Sequence, residues 1–203
     1  MIWLAGLSHA LKRHARHVEE PRMTRLRFDV VPEGDRHPLG REEVQRLLLL
    51  VVADVPELAG VVSAVRFGCN HRTKREGRIV QRGKRYEIGI NFCLRDGSSR
   101  LLNSGESWLK WIKMCGGRPR IDDKVVLWDE NTAARYAAFI LLHEMAHIVY
   151  YLRHSRFDLN RWKGSPEEEK FCDEWAARSL QRLWDRCVAE RHLEGKAMGR
   201  RHG

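Results

Sequence analysis

The chain has 203 residues, 43% of them hydrophobic, and a formal net charge of +10. That is enough apolar material for one large domain, and no run of about eighteen apolar residues is available to cross a bilayer, so no membrane partner is expected. The positive excess suits phosphate backbones or acidic protein partners.

The apolar start, Met1 to Leu7, is short and has no basic stretch ahead of it, which makes a poor secretory signal. The cysteines (Cys69, Cys93, Cys115, Cys172, Cys187) are odd in number, scattered, and form no Cys-x-x-Cys pair. This spacing predicts free thiols and a cytoplasmic location. Cys69 and His71 with Cys93 match no common zinc pattern, so ordinary packing is expected there.

Residues 1–22 read as a basic helix or arm, crowded with His9, Lys12, Arg13, His14, Arg16 and His17. Thr24 to Val31 alternates and predicts a first strand, with Leu26, Phe28 and Val30 on one face. Val44, Leu47, Leu48, Val51 and Val52 recur at helical spacing, which predicts an amphipathic helix from Arg41 to about Leu58. Val61 to Phe67 and Tyr86 to Phe92 read as antiparallel partners. The segment between them is then a hairpin loop. From Arg66 to Tyr86 eight basic residues stand against Glu76 alone, a local charge of +7. Arg72, Lys74, Arg75, Arg78, Arg82, Lys84 and Arg85 are the candidate nucleic-acid contacts, although a solvated loop carries the same pattern and few aromatics flank it.

Ser104 is placed to cap a helix ending near Met114, with Trp108, Leu109 and Ile112 inward. Val125 to Trp128 is a further strand. Asp129 or Asn131 then caps a long helix. Ser165-Pro166-Glu167-Glu168 is a strong helix start, with Ser165 at the N-cap, Pro166 at the first position and Glu168 at the capping-box position. That helix is expected to run to about His192. Residues 195–203 form a basic tail.

The long helix contains His143-Glu144-Met145-Ala146-His147 inside an unbroken apolar run. Residues four apart are neighbours on a helix, so both imidazoles can hold one Zn²⁺ ion. Glu144 follows the first ligand directly, where its carboxylate can act as general base on a water at the open coordination position. Buried histidines and a glutamate are costly in an apolar helix that has no use for them.

A catalytic zinc ion needs a third protein ligand. Position 153, where a metzincin has its third histidine, is Arg153. Glu169, in the first turn of the next helix, is the preferred candidate, with Glu168 and His154 as runners-up. Asp173 lies one turn beyond Glu169 and can accept the outer ring N–H of a ligand histidine. Tyr150, Tyr151, His154 and His192 are candidate oxyanion donors, and the sequence does not choose among them.

His-Glu-x-x-His followed on a second helix by Glu169-x-x-x-Asp173 resembles the gluzincin arrangement of thermolysin-like zinc peptidases. More narrowly, Glu169-Lys170-Phe171-Cys172-Asp173-Glu174-Trp175-Ala176 is similar to the signature of the ImmA/IrrE-type minimal metallopeptidases. The resemblance covers roughly residues 84–182. It departs at Ala138 to Leu142 before the motif and at Ala146, where that family usually has glycine. It implies a small metallopeptidase, some relatives of which act on DNA-binding repressors. A SprT-like protease would also suit the charge, but needs a third histidine.

The expected fold is α+β and zincin-like. A mixed or antiparallel sheet of three or four strands packs on the motif helix and on the helix bearing the Glu ligand. Residues 23–194 are expected to form a single catalytic domain. The expected function is zinc-dependent hydrolysis of a protein substrate, with a nucleic-acid-associated or regulatory protein as the candidate, and with the strand ahead of the motif helix offering its edge to an extended peptide. The alternative is a DNA- or RNA-binding regulatory protein whose zinc site is structural or vestigial.

Overall fold

The structure is a computed structural model that describes residues 24–69, 75–102, 105–154 and 164–199, with 188–199 as backbone only. The expectations placed on the arm 1–22, on His71, Arg72, Lys74 and Ser104, on the His192 side chain and on residues 200–203 lie outside the described residues.

Strand β1 (Arg25–Phe28) opens the described fold, followed by a short β2 (Asp35–Arg36) and helix α1 (Arg41–Asp54). Val44, Leu47, Leu48 and Val51 of α1 are buried, as their spacing predicts. A 3₁₀ turn (Pro56–Leu58) and Gly60, at φ 70°, lead into β3 (Val62–Phe67). Then come β4 (Gly77–Arg82), β5 (Arg85–Ile90), β6 (Leu94–Arg95), β7 (Ser98–Arg100), α2 (Glu106–Met114), β8 (Arg118–Arg120) and β9 (Val125–Leu127). The chain ends in two long helices, α3 (Glu130–His154) and α4 (Pro166–Gly199). The fold is α+β and zincin-like, as the sequence predicts.

Two sheets replace the single small one expected. The first has the order β1-β3-β5-β4 and the second β2-β6-β7-β9-β8. β3 and β5 pair in parallel, Val65 with Ile88 and Phe67 with Ile90, and not antiparallel. The reason lies between them. Gly83, at φ 63°, and Lys84 form the two-residue turn of a tight hairpin, so β5 takes β4 as its antiparallel neighbour, with Arg82 opposite Arg85. Half of the basic segment is therefore a strand, and β3 reaches β5 by a crossover.

Val30 is 98% exposed and lies beyond β1, so the first strand is shorter than its alternation suggested. Gly105 sits at the N-cap of α2. Asp129 caps α3, its Oδ1 accepting the Thr132 N–H at 2.8 Å. Ser165 Oγ accepts the Glu168 N–H at the start of α4, and α4 continues past His192 to Gly199.

Helix α3 is buried on nearly every side from Ala133 to Val149 and packs chiefly against α4. An apolar helix at the centre of the domain loses its amphipathic stripe for that reason. No described helix is long and apolar enough to cross a membrane.

The free-thiol reading is corrected at two positions. Cys69 and Cys93 form a disulfide with Cα atoms 5.7 Å apart. They follow β3 and β5, and the parallel pairing brings those two strand ends together. Cys115, Cys172 and Cys187 are free and buried.

Candidate metal centre

His143 and His147 lie one turn apart on α3 and are buried, 5% and 3% exposed. Their Nε2 atoms face each other 3.2 Å apart. Glu169, from the first turn of α4, places Oε2 at 3.4 Å from His143 Nε2 and 4.0 Å from His147 Nε2. Two nitrogens bound tetrahedrally at 2.0–2.1 Å from one zinc ion stand about 3.3 Å apart. The three side chains named by their spacing therefore meet at one point.

The outer ring nitrogens explain why a cation belongs there. His147 Nδ1 lies 2.8 Å from Glu168 Oε1, and His143 Nδ1 lies 3.1 Å from Asp173 Oδ1. The Glu168 carboxylate favours the ring proton on His147 Nδ1 and a lone pair on Nε2, whereas Asp173 stands close to His143 Nδ1 without hydrogen-bond geometry. The two Nε2 atoms and a carboxylate oxygen then converge, with either a proton on His143 or a metal ion to offset their mutual repulsion. Such a set repels itself unless a positive charge sits between. Burial pulls the His143 imidazole down, but the Asp173 and Glu169 carboxylates, with the charge of Glu144, outweigh it and lift it to about 9. The site favours a cation, and its donors fit zinc.

Glu168 makes a contact beyond its place at the helix start. Its carboxylate faces His147 across a buried contact, 3% exposed. Its place beside Glu169 and one residue off the ligand register is the only sequence signal for this. Asp173 lies beside the His143 ring, one oxygen 3.1 Å from Nδ1. Its other oxygen accepts a hydrogen bond from Ser107 Oγ of α2 at 3.4 Å.

Glu144 is buried, and burial raises its carboxyl above the ordinary range against the pull of His143 and His147. Its carboxylate lies directly against Gly77, the first residue of β4. A methyl group built on Gly77 collides with that carboxylate, so only glycine leaves it in place. Neither Gly77 nor Glu76 was legible as a site residue. Glu76 is buried and accepts a hydrogen bond from Tyr136 Oη at 2.7 Å. Burial lifts Glu76 to about 7, against the hydrogen bonds from Tyr136 and Trp108 that lower it. Trp108 packs edge-on to the His143 ring, 6.2 Å between centroids. The head of β4 is thus tied to α2 and α3 beside the metal donors.

The remaining candidates sit elsewhere. His154 points Nδ1 at the Tyr150 carbonyl at 2.8 Å and stacks on the Tyr150 ring. Both lie at the end of α3, with His154 about 10 Å along the axis from His147. His154 is therefore not the third ligand. Tyr151 is buried behind the His147 ring and beside Glu168, and burial followed by Glu168 pushes its phenol well up.

His147, Glu168 and Cys172 form a second compact group. It is fully buried and leaves no side for solvent, whereas Glu169 is 47% exposed at the side chain. Burial and the nearby Glu168 and Glu169 also push the Cys172 thiol well up, so the thiolate a metal takes is disfavoured.

An HExxH helix, a carboxylate brought in by a second helix and a mixed sheet alongside define a gluzincin-type zinc site, that of a zinc-dependent hydrolase. Compared with protein-family models, curated proteins and solved structures, the chain matches none. The resemblance to the ImmA/IrrE-type peptidases is carried by the motif residues alone.

Proposed function

We propose that this chain is a zinc-dependent metallopeptidase holding one Zn²⁺ on His143, His147 and Glu169. The observation that carries the reading is the convergence of three acceptors on a point with one solvent-facing side, beside a buried glutamate. When bound, zinc lowers the pKa of a coordinated water from 15.7 to about 7 and polarises the substrate carbonyl. The chain supplies the rest. Glu144 accepts the proton of the attacking water and returns it to the leaving amine. Glu168 fixes the tautomer and tilt of the His147 ring. The backbone at Gly77 limits where the Glu144 carboxylate can sit.

Strand β9, immediately before α3, is paired on both sides, by β7 and β8, so it has no edge to offer. β4 ends the other sheet with β5 as its neighbour, and its first residue touches Glu144. An extended peptide laid along β4 would bring a carbonyl past the metal donors. The high positive charge supports a substrate associated with nucleic acid or with regulation, as in the family the motif resembles. The cytoplasmic reading rested on unpaired cysteines and is weakened by the Cys69–Cys93 bond.

The rival reading, a structural zinc in a regulatory protein, fits less well. Structural zinc sites are closed by four protein ligands. Among the described residues the set is three, and the third is half exposed. Incubation of purified chain with unfolded casein is expected to yield fragments, none in a zinc chelator, and fragments again after zinc is restored. Fragments that persist in chelator would exclude a metal-dependent hydrolase.

A further inference from the structure

The outer face of the first sheet takes no part in the metal centre, and strand register fixes what it carries. Arg25 pairs with Ala64 and Arg27 with Arg66. Arg66 pairs with Gly89, and Gly89 with Arg78. Arg82 stands opposite Arg85. These positions alternate with Leu26, Val65 and Ile88, which are buried in the core, so all six arginines share the opposite face. Arg25, Arg27, Arg66, Arg78 and Arg82 are exposed. Asp29 pairs with Arg66 at 2.8 Å and Glu87 stands 3.8 Å from Arg82. Gly89 keeps the middle of the face low, with the Arg78 side chain lying across it. A cavity of about 550 Å³ opens at the head of the face, lined by Arg66, Arg75, Arg78 and Asn91 among others.

We propose that this sheet face docks the phosphate backbone of nucleic acid. Arg25 and Arg27 are some forty residues from the basic segment, and only the parallel pairing of β1 with β3 brings them to it. Every cation in these rows is a guanidinium, whose planar fork matches phosphate oxygens in pairs. From β1 to β4 the face spans about 14 Å at the usual strand spacing. A duplex carries one phosphate charge per about 1.7 Å of axis, so several fall within reach. The outward positions hold no aromatic residue, so bases are not stacked and sequence is not read. They also lack the buried aromatic anchor on which a protein partner's affinity depends. Docking here would deliver the hydrolase to proteins already bound to nucleic acid. Binding itself does not rest on the hydrolase reading.

The test uses full-length Glu144→Gln protein, so that binding and hydrolysis fail separately. Affinity for a short labelled DNA duplex is measured by fluorescence anisotropy across a salt series. Four phosphate contacts give a log–log salt slope of about −4. Adding R25Q/R27Q is expected to flatten the slope by about 2 and weaken binding about 30-fold near 0.15 M salt. R78Q/R82Q repeats the test from the opposite edge and decides the matter if the first pair does not fold, as judged by thermal unfolding. Folded variants that bind with the parent's slope and affinity overturn the proposal. So does displacement of the DNA by polyglutamate at equal charge, which would assign the face to an acidic protein.

Discussion

Glu144→Gln is expected to keep its zinc and lose hydrolysis, with kcat falling by about 10²–10⁴. The amide has the volume of the carboxylate and so fits the slot against Gly77 that admits no methyl group. It cannot accept the proton of the attacking water. His143, His147, Glu168, Glu169 and Asp173 are untouched, so zinc content and thermal unfolding should match the parent. The comparison is made on cleavage of unfolded casein, with metal measured in the same preparations. A variant that cuts at the parent's rate removes Glu144 from the chemistry, whatever the metal does.

Glu169→Ala is the second large effect, and its readout is the metal. It removes one of three converging acceptors, the one that closes the site from α4. Glu168→Gln instead weakens the hold on His147 Nδ1, a loss that typically costs about 10–100-fold in metal affinity. Competition with a chromophoric chelator should therefore show a larger loss for Glu169→Ala than for Glu168→Gln. The reverse order would point to His147, Glu168 and Cys172 as the ligand set.

The pairing of the two histidines was legible because helical spacing is local. Four residues make a turn, so His143 and His147 are paired by the sequence itself, and Glu169 and Asp173 repeat the same step on α4. The caps Asp129 and Ser165 were readable for the same reason. What escaped depends on contacts between distant strands. Periodicity marks β3 and β5 as strands but says nothing of their direction, and the Gly83-Lys84 turn that decides it lay inside a segment read as loop. The Cys69–Cys93 pairing follows from that direction, as does the meeting of Gly77 with Glu144. The contact of Glu168 with His147 was not legible because its capping-box position already gave that carboxylate a use. The capping box needs only its own helix, whereas the bond to His147 needs α3 alongside.

The account stands on one coordination set, and zinc K-edge absorption on protein purified without a histidine tag reads it directly. We expect one zinc per chain, with two imidazole nitrogens at about 2.0–2.1 Å, oxygen neighbours at about 2.0–2.2 Å and no sulfur. A sulfur shell at about 2.3 Å, which Cys172 would supply, or a tag-free chain that takes up no zinc, would contradict it.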